Sequence, residues 1–452
     1  MLFRSLANRS WPRRAEVLHK TSTASNPPST PQSTTKTRRA AYTLGMRLAV
    51  IFASCLFGAD LPRMARSGLT LAPGEGAITV VQVAPDSNAA RAGIANGDAI
   101  VDAAPTLEFA RSLLKQPAGS ELAISVRREG KTLPIRLRFV APPLEQHAGI
   151  RIDYRAIDAG GHLRRTILTR PARGKPRRLI VWIAGSGCGS QESPDGSNPE
   201  VELLYTLTKL GFATLRVEKT GVGDSQGPPC YSEAGGIEQE VNGYRAAIAA
   251  TEAEQIFLFG HSAGATLAPL VARGLPVRAI VLNGAMSGGF FEYILAMRRR
   301  ESELAGTLAE ASVHERCLRR LLIDGVNATE IESEMPECRR KVRFDSPPSY
   351  VNDWLRLDLA SAWRQAPATP VLVLYGTGDF VTSAELSEGL VALINAAHPR
   401  KATLRTLPMD HGFRAHATQR QAFEAERSPA GGAGLYRDLA KIVAAFLTRA
   451  AS

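Results

Sequence analysis

From residue 149 onward, short apolar runs alternate with stretches of helical character, and no other feature narrows the fold as much. The runs cover residues 179–183, 213–217, 256–259, 279–282, 371–375 and 403–407. Each is too short for a core helix. Together they predict buried strands of a mostly parallel sheet with helices on both faces. Residues 150–156 and 163–169, around the turn Asp158-Ala159-Gly160-Gly161, predict an antiparallel pair ahead of them. In open sheets of this kind chemistry gathers at the carboxyl ends of the strands, so the loops there hold the candidate residues.

The chain has 452 residues, too many for one core, so an accessory module is expected. The formal net charge is +12. Eleven Lys or Arg precede Gly68, against two acids, Glu16 and Asp60, so nine of the twelve excess charges sit in that leader. The small remainder and the lack of a basic, aromatic-rich stripe give no support to nucleic-acid binding.

Residues 1–45 are rich in Ser, Thr, Pro and Arg, without apolar periodicity, and are expected to be a disordered leader or a mis-assigned start before Met46. Residues 46–59 begin Met46-Arg47 and continue as an apolar stretch too short to span a bilayer, which reads as a signal peptide for export to a bacterial periplasm or cell envelope. A mitochondrial transit peptide is the competing reading. Of the five cysteines, Cys55 lies in this stretch, where Phe52-Ala53-Ser54-Cys55 resembles a lipoprotein box and makes Cys55 the candidate for lipidation. Membrane association is expected only through this signal or lipid. The other four, Cys188, Cys230, Cys317 and Cys338, form an even set, as an oxidising compartment requires, with no zinc-like spacing.

After a linker at 60–67, residues 68–141 read as a small, mainly β module. A β-branched run at 78–84, a short helix, a turn at Gly97-Asp98, helical spacing at 108–114 and two strands around Glu129-Gly130 follow in order. Gly68-Leu69-Thr70-Leu71, the Ala89-to-Ile94 turn, Gly97-Asp98 and Arg128-Glu129-Gly130-Lys131 resemble a PDZ domain of the bacterial type. The resemblance implies an extended peptide added beside an edge strand as a possible ligand, or else a purely structural module.

Gly260-His261-Ser262-Ala263-Gly264 directly follows the run at 256–259 and precedes a helix-forming stretch. This is the G-x-S-x-G elbow in a strand, turn and helix context, and it makes Ser262 the candidate nucleophile. A Ser hydroxyl needs a base to remove its proton, and the start of a helix supplies amide donors for an oxyanion. Adjacent residues on such a turn point apart, which disfavours His261 as the base. Asp379 follows the run at 371–375 and is the candidate acid, with Asp410 as rival. His411 follows the run at 403–407 and is the candidate base, while His416, His398 and His314 read as plain surface. The chain order Ser, Asp, His is that of α/β-hydrolases. The oxyanion hole is expected from the amides of Ala263 and of the loop Ala184-Gly185-Ser186-Gly187, with Ser186 and Gly187 as candidates. No Gly-Lys-Ser or Gly-Lys-Thr follows that loop, which argues against nucleotide binding.

Ile183-to-Gly187, Glu218-to-Ser225, Phe259-to-Gly264, Tyr375-to-Asp379 and Asp410-to-Phe413 together resemble the α/β-hydrolase superfamily, in its serine aminopeptidase-like and dienelactone-hydrolase-like branch. The resemblance implies an α/β-hydrolase core at 149–287 and 367–450, and a carboxylesterase-type enzyme cleaving small acyl esters without metal or organic cofactor. An exported peptidase to which the PDZ-like module presents peptides is one alternative, and a catalytically silent binding protein is another. Residues 288–366 interrupt the pattern with charged, helical sequence, expected as a cap, in which Arg298 to Arg300 read as a solvated helix face. In the α/β-hydrolase arrangement the loops carrying Cys188 and Cys230 emerge side by side, and Cys317 and Cys338 share one insertion. The implied bridges are therefore Cys188 with Cys230 and Cys317 with Cys338.

Overall fold

The computed structural model describes residues 61–74, 76–102, 106–174, 177–232, 235–339, 348–428 and 433–451. The leader at 1–45, the signal at 46–59 and the lipidation candidate Cys55 lie outside these residues. Among the described residues no helix is long and apolar enough to cross a membrane.

The amino-terminal part is built from β1 (Met64–Arg66), β2 (Leu69–Gly74), β3 (Ala77–Val83), β4 (Ala99–Ile100), β5 (Lys115–Pro117), β6 (Glu121–Arg128) and β7 (Lys131–Arg138). Strands β2, β3, β4, β6 and β7 form one antiparallel sheet in that order. The β6–β7 hairpin turns on Glu129 (φ 50°) and Gly130 (φ 78°), the two positive φ values that a two-residue turn matched to strand twist requires. Asp98, which follows Gly97, takes bonds from Arg128 Nε (2.7 Å) and Ala95 N (2.9 Å) and so ties the β4 turn to the hairpin. The stretch expected as a linker is not one. Residues 64–66 form β1, which pairs antiparallel with β5, because Ser67 and Leu61 beside it are buried against folded chain.

The larger sheet has eight strands: β8 (Ile150–Asp158), β9 (Leu163–Pro171), β10 (Arg178–Ile183), β11 (Ala213–Val217), β12 (Gln255–His261), β13 (Val277–Asn283), β14 (Val371–Gly376) and β15 (Ala402–Leu407). Their spatial order is β15-β14-β13-β12-β10-β11-β9-β8, with β9 antiparallel to both its neighbours. Alternate side chains serve two cores. Leu179, Val181 and Ile183 pack with the helices Ile237–Ala249 and Ala263–Ala272 on one face. Ile180 and Trp182 pack with Phe257, Phe259 and the helices Pro199–Lys209 and Leu439–Ala451 on the other. The chain passes from β10 outward to β11 and then back across to β12, so the strand order reverses beside β10 and leaves a crevice at the carboxyl ends.

Between β13 and β14 lie the helices Phe290–Ala305, Leu308–Leu322, Ala328–Glu334 and Pro348–Leu355. The next helix, Leu359–Gln365, buries Leu359 and Trp363 in the core beside the sheet, as the helix before it buries Tyr350 and Trp354. Cys317 and Cys338 are bonded, with Cα atoms 5.6 Å apart, and both are fully buried. Arg298 and Arg299 pair with Glu301 and Glu303 along their own helix, whereas Arg300 is half-buried and reaches beyond it. It donates to the carbonyls of Phe380 (3.0 Å) and Val381 (2.8 Å).

One buried ion pair anchors the segment between the two sheets. Arg216 on β11 meets Glu145 through two bonds of 2.8 and 2.7 Å, and both side chains are buried. Glu145 also accepts from Tyr205 and from Ser193 N (2.6 Å). Burial pushes the Glu145 carboxyl up, but Arg216, Tyr205 and Ser193 outweigh that and hold it below the ordinary range. Glu145→Ala should then cost about 3–5 kcal/mol, since it leaves a guanidinium buried without its partner. Denaturant titration should show a lower midpoint at unchanged slope, with Glu145→Leu/Arg216→Met recovering most of the loss. Because the folded pKa is depressed, this stabilisation is present above the ordinary carboxyl value and fades as pH falls below it.

Candidate active site

Ser262 follows β12 and caps the helix Ala263–Ala272, at φ 54° and ψ −122°. A non-glycine residue in this region is strained and persists only where its surroundings enforce it. The enforcement is steric. A Cβ on Gly264 would lie 2.0 Å from the Ile183 carbonyl oxygen, and one on Gly260 would lie 2.5 Å from Ala265 Cα. One on Gly185 would lie 3.2 Å from Ser262 Cβ, which puts the loop after β10 directly against this serine. The Ser262 N–H donates to the Asn283 carbonyl at the end of β13 (2.7 Å).

Asp379 follows β14 and is buried. Its Oδ2 accepts from His411 Nδ1 (2.8 Å) and Thr382 Oγ1 (2.7 Å), and its Oδ1 accepts from the amides of Val381 (2.8 Å) and Thr382 (2.9 Å). Burial pushes this carboxyl up, but His411 and Thr382 more than offset it and bring it down to about 2. It is thus ionised at any working pH. Gln419 donates to the Asp379 carbonyl (2.8 Å), and the two carbonyl bonds of Arg300 fix the residues that follow. Asp410, the rival acid, turns elsewhere: its Oδ2 accepts from His416 Nδ1 (2.8 Å) and its Oδ1 from Arg414 N (2.8 Å). His416 is accordingly a buried, bonded side chain rather than plain surface, and half-buried His398 bonds the Trp363 carbonyl (2.8 Å). Chain order located the triad candidates but carried no information on what these other histidines touch.

His411 Nε2 is buried and has no hydrogen-bond partner among the described residues, which leaves it available as a base. The His411 carbonyl accepts from His261 Nε2 (2.8 Å) and from Asn283 Nδ2 (3.4 Å). The residue beside the serine therefore grips the backbone of the histidine, and Asn283 bonds both loops. His261 itself stands 3.1 Å from Glu200 Oε1 at the start of the helix Pro199–Lys209. Burial lowers its pKa, Glu200 raises it, and the net direction is upward. Neither Glu200 nor Asn283 was signalled by any motif.

The loop after β10 is held at almost every residue. The Ala184 N–H donates to Tyr244 Oη (3.0 Å), Lys219 Nζ donates to the Gly185 carbonyl (2.9 Å), and the Gly187 N–H donates to Tyr231 Oη. Cys188 is bonded to Cys230, with Cα atoms 5.8 Å apart. Gly187 is therefore removed from the expected oxyanion donors, because its N–H is already engaged by a tyrosine some forty residues away in sequence. The N–H groups of Ser186 and Ala263 have no partner among the described residues. Ser190 Oγ and Gln191 N (3.0 Å) both donate to Glu218 Oε1.

Glu218 is buried, its Oε2 has no partner among the described residues, and burial pushes its pKa up to about 7. A folded value above the ordinary carboxyl value means that stability is lost as pH rises from that ordinary value to about 7. Since both donors bond Oε1, Glu218→Gln keeps them and removes the charge. It should raise Tm at pH 8 and make no difference at pH 4, as scanning calorimetry can check; a lower Tm at pH 8 would contradict this account.

A sequence profile of the Alpha/beta hydrolase family matches residues 180–426. Among curated proteins none matches the chain. Similar solved structures include Est1E from Butyrivibrio proteoclasticus, 15% identical over 66% of this chain and 98% of that one, with a TM-score of 0.41. A proline iminopeptidase of Mycobacterium smegmatis has the same identity, coverage and TM-score. The Pyrococcus furiosus esterase Pf2001 is 11% identical over 68% of this chain and 96% of that one, with a TM-score of 0.42. The family profile spans more than half of the sequence and takes in the serine, aspartate and histidine just described, and the chain belongs to the alpha/beta hydrolase family.

Proposed function

We propose that this hydrolase is a serine hydrolase that cleaves carboxylic esters of small acyl groups through an acyl-enzyme on Ser262, in the serine aminopeptidase-like and dienelactone-hydrolase-like branch. The observation that carries the reading is the His411 imidazole, bonded through Nδ1 to the ionised Asp379 and left free at Nε2. In this reading His411 Nε2 takes the Ser262 proton as Oγ attacks the ester carbonyl. The negative charge that develops on the carbonyl oxygen falls to the amides of Ala263 and Ser186. The proton passes from His411 to the leaving alcohol, and a water activated by the same nitrogen then releases the acid. Asp379 keeps the proton on Nδ1 and stabilises the imidazolium. The insertion at 288 onward is proposed as a cap, supported by the packing of Phe291, Ile294 and Met297 against Phe380 and Val381 beside Asp379. We further propose that residues 68–141 form a PDZ domain and that the protein is exported, which two disulfides support.

A fluorophosphonate probe should label the wild type and leave Ser262→Ala unlabelled. Ser262→Ala and His411→Ala should each lose on the order of four to six decades of kcat on p-nitrophenyl acetate with Tm nearly unchanged. Asp379→Asn should lose about four decades, while Asp410→Asn should stay within about tenfold of wild type. A wild type inert to both probe and ester would sink the reading. Reduction of Cys188–Cys230 should lower kcat at temperatures where near-ultraviolet circular dichroism still reports a folded chain, because the bridge closes on the loop that carries the Ser186 amide.

A further inference from the structure

Lys219 is a buried cation that the triad does not use. Its side chain is 4% exposed, and its ammonium is paired with Glu240 Oε2 at 3.0 Å, itself 2% exposed. Glu240 is held in turn by the Tyr350 hydroxyl (2.9 Å), which comes from the insertion helix Pro348–Leu355. The ammonium also lies 5.2 Å from the centre of the Tyr231 ring, whose hydroxyl takes the Gly187 N–H. Burying a lysine is costly unless it is well paired, and a second carboxylate would pair it best. Its other contact is instead the carbonyl oxygen of Gly185, at 2.9 Å.

That carbonyl belongs to the same peptide unit as the Ser186 N–H. A trans peptide is planar, with C=O and N–H directed oppositely, so holding the oxygen on one side fixes the direction of the N–H on the other. An ammonium on the oxygen also draws electron density through the amide and makes its N–H a stronger donor. The unit lies against the nucleophile, as the 3.2 Å approach of a Gly185 Cβ to Ser262 Cβ requires. Gly185 and Gly187 give this loop backbone freedom, so the peptide could otherwise turn over and present its oxygen to the developing oxyanion.

We propose that Lys219 is a positioning residue that orients and polarises the Gly185–Ser186 peptide as an oxyanion donor, and that Glu240 and Tyr350 set the ammonium in place. The inference rests on the hydrolase reading above and assigns a task to a side chain that reading leaves idle. It also ties the insertion to the chemistry through Tyr350, which does not touch the peptide itself.

The test compares wild type, Lys219→Met, Lys219→Met/Glu240→Gln and Ser262→Ala on p-nitrophenyl acetate and on the thiono analogue, p-nitrophenyl thionoacetate. Lys219→Met alone strands the Glu240 carboxylate, so the double variant is measured beside it, and folding is followed by near-ultraviolet circular dichroism. On the ester, kcat should fall on the order of 10- to 100-fold in both variants, with KM within about threefold. Sulfur accepts hydrogen bonds weakly, so the thionoester rate should fall far less and the preference for oxygen should narrow by about fivefold or more. A folded variant with wild-type kcat, or one in which ester and thionoester fall in proportion, overturns the inference while leaving the hydrolase reading in place. A wild type that neither turns over the ester nor takes the fluorophosphonate label overturns that reading, and the inference with it.

Discussion

The backbone of Ser262 is the point on which the site depends. A serine at φ 54° costs about 1–3 kcal/mol, and nothing in the residue itself favours it. It is held by close packing of three backbones, those of β10, β12 and the helix Ala263–Ala272, at places where Gly260 and Gly264 leave no side chain. The same closeness brings the loop after β10 to the serine and leaves the first amide of the helix without an internal partner. Strained serine, helix start and neighbouring loop are thus products of one steric arrangement. The sheet order supplies it by setting β10 and β12 side by side.

Features carried by nearest neighbours in sequence were legible. The runs became β10 to β15 within a residue or two, because the strands at the centre of the sheet, β10, β12, β13 and β14, are apolar on both faces. The G-x-S-x-G elbow was legible because its glycines are demanded locally. Asp379 and His411 could be placed from the strands before them, and they meet at 2.8 Å. Cys188 and Cys230 could be paired once the strand order was supposed, since they follow neighbouring strands, and Cys317 and Cys338 because they share one insertion.

What the sequence concealed is the polar scaffolding, whose members are far apart along the chain. Glu145 lies between the two modules at 68–141 and 149–287, where no motif marks it, yet it is buried and bonded twice by Arg216. Gly187 read as an oxyanion donor until Tyr231 claimed its N–H. His416 read as surface until Asp410 and its burial gave it a place. Arg300 read as one member of a solvated run, but helical rotation turns it toward the loop after Asp379. In each case composition gives the residue type and only the folded chain gives its partner, because a lone charged or polar residue has no periodicity to betray it.

The segment after β11 carries much of the charge buried around the candidate site. Glu218 and Lys219 hold the loop after β10, while Asp224, a few residues on, accepts from Arg165 Nε (3.0 Å), Arg63 Nη1 (2.9 Å) and Met64 N (2.7 Å). Arg63 and Met64 lead into β1, and Lys115 on its partner strand β5 also reaches the Gly221 carbonyl (3.0 Å). One short segment thus sets the loop after β10 on one side and receives the amino-terminal module on the other. Apolar residues of equal volume would hold the segment in place at least as firmly, because buried ion pairs seldom add net stability. They would not hold it in a particular orientation, because apolar contacts are indifferent to where a carbonyl or an amide points. Directional bonds to backbone groups select one arrangement of the Gly-rich loop from the many its glycines allow, and the amide proposed to meet charge as it forms would need that selection more than stability.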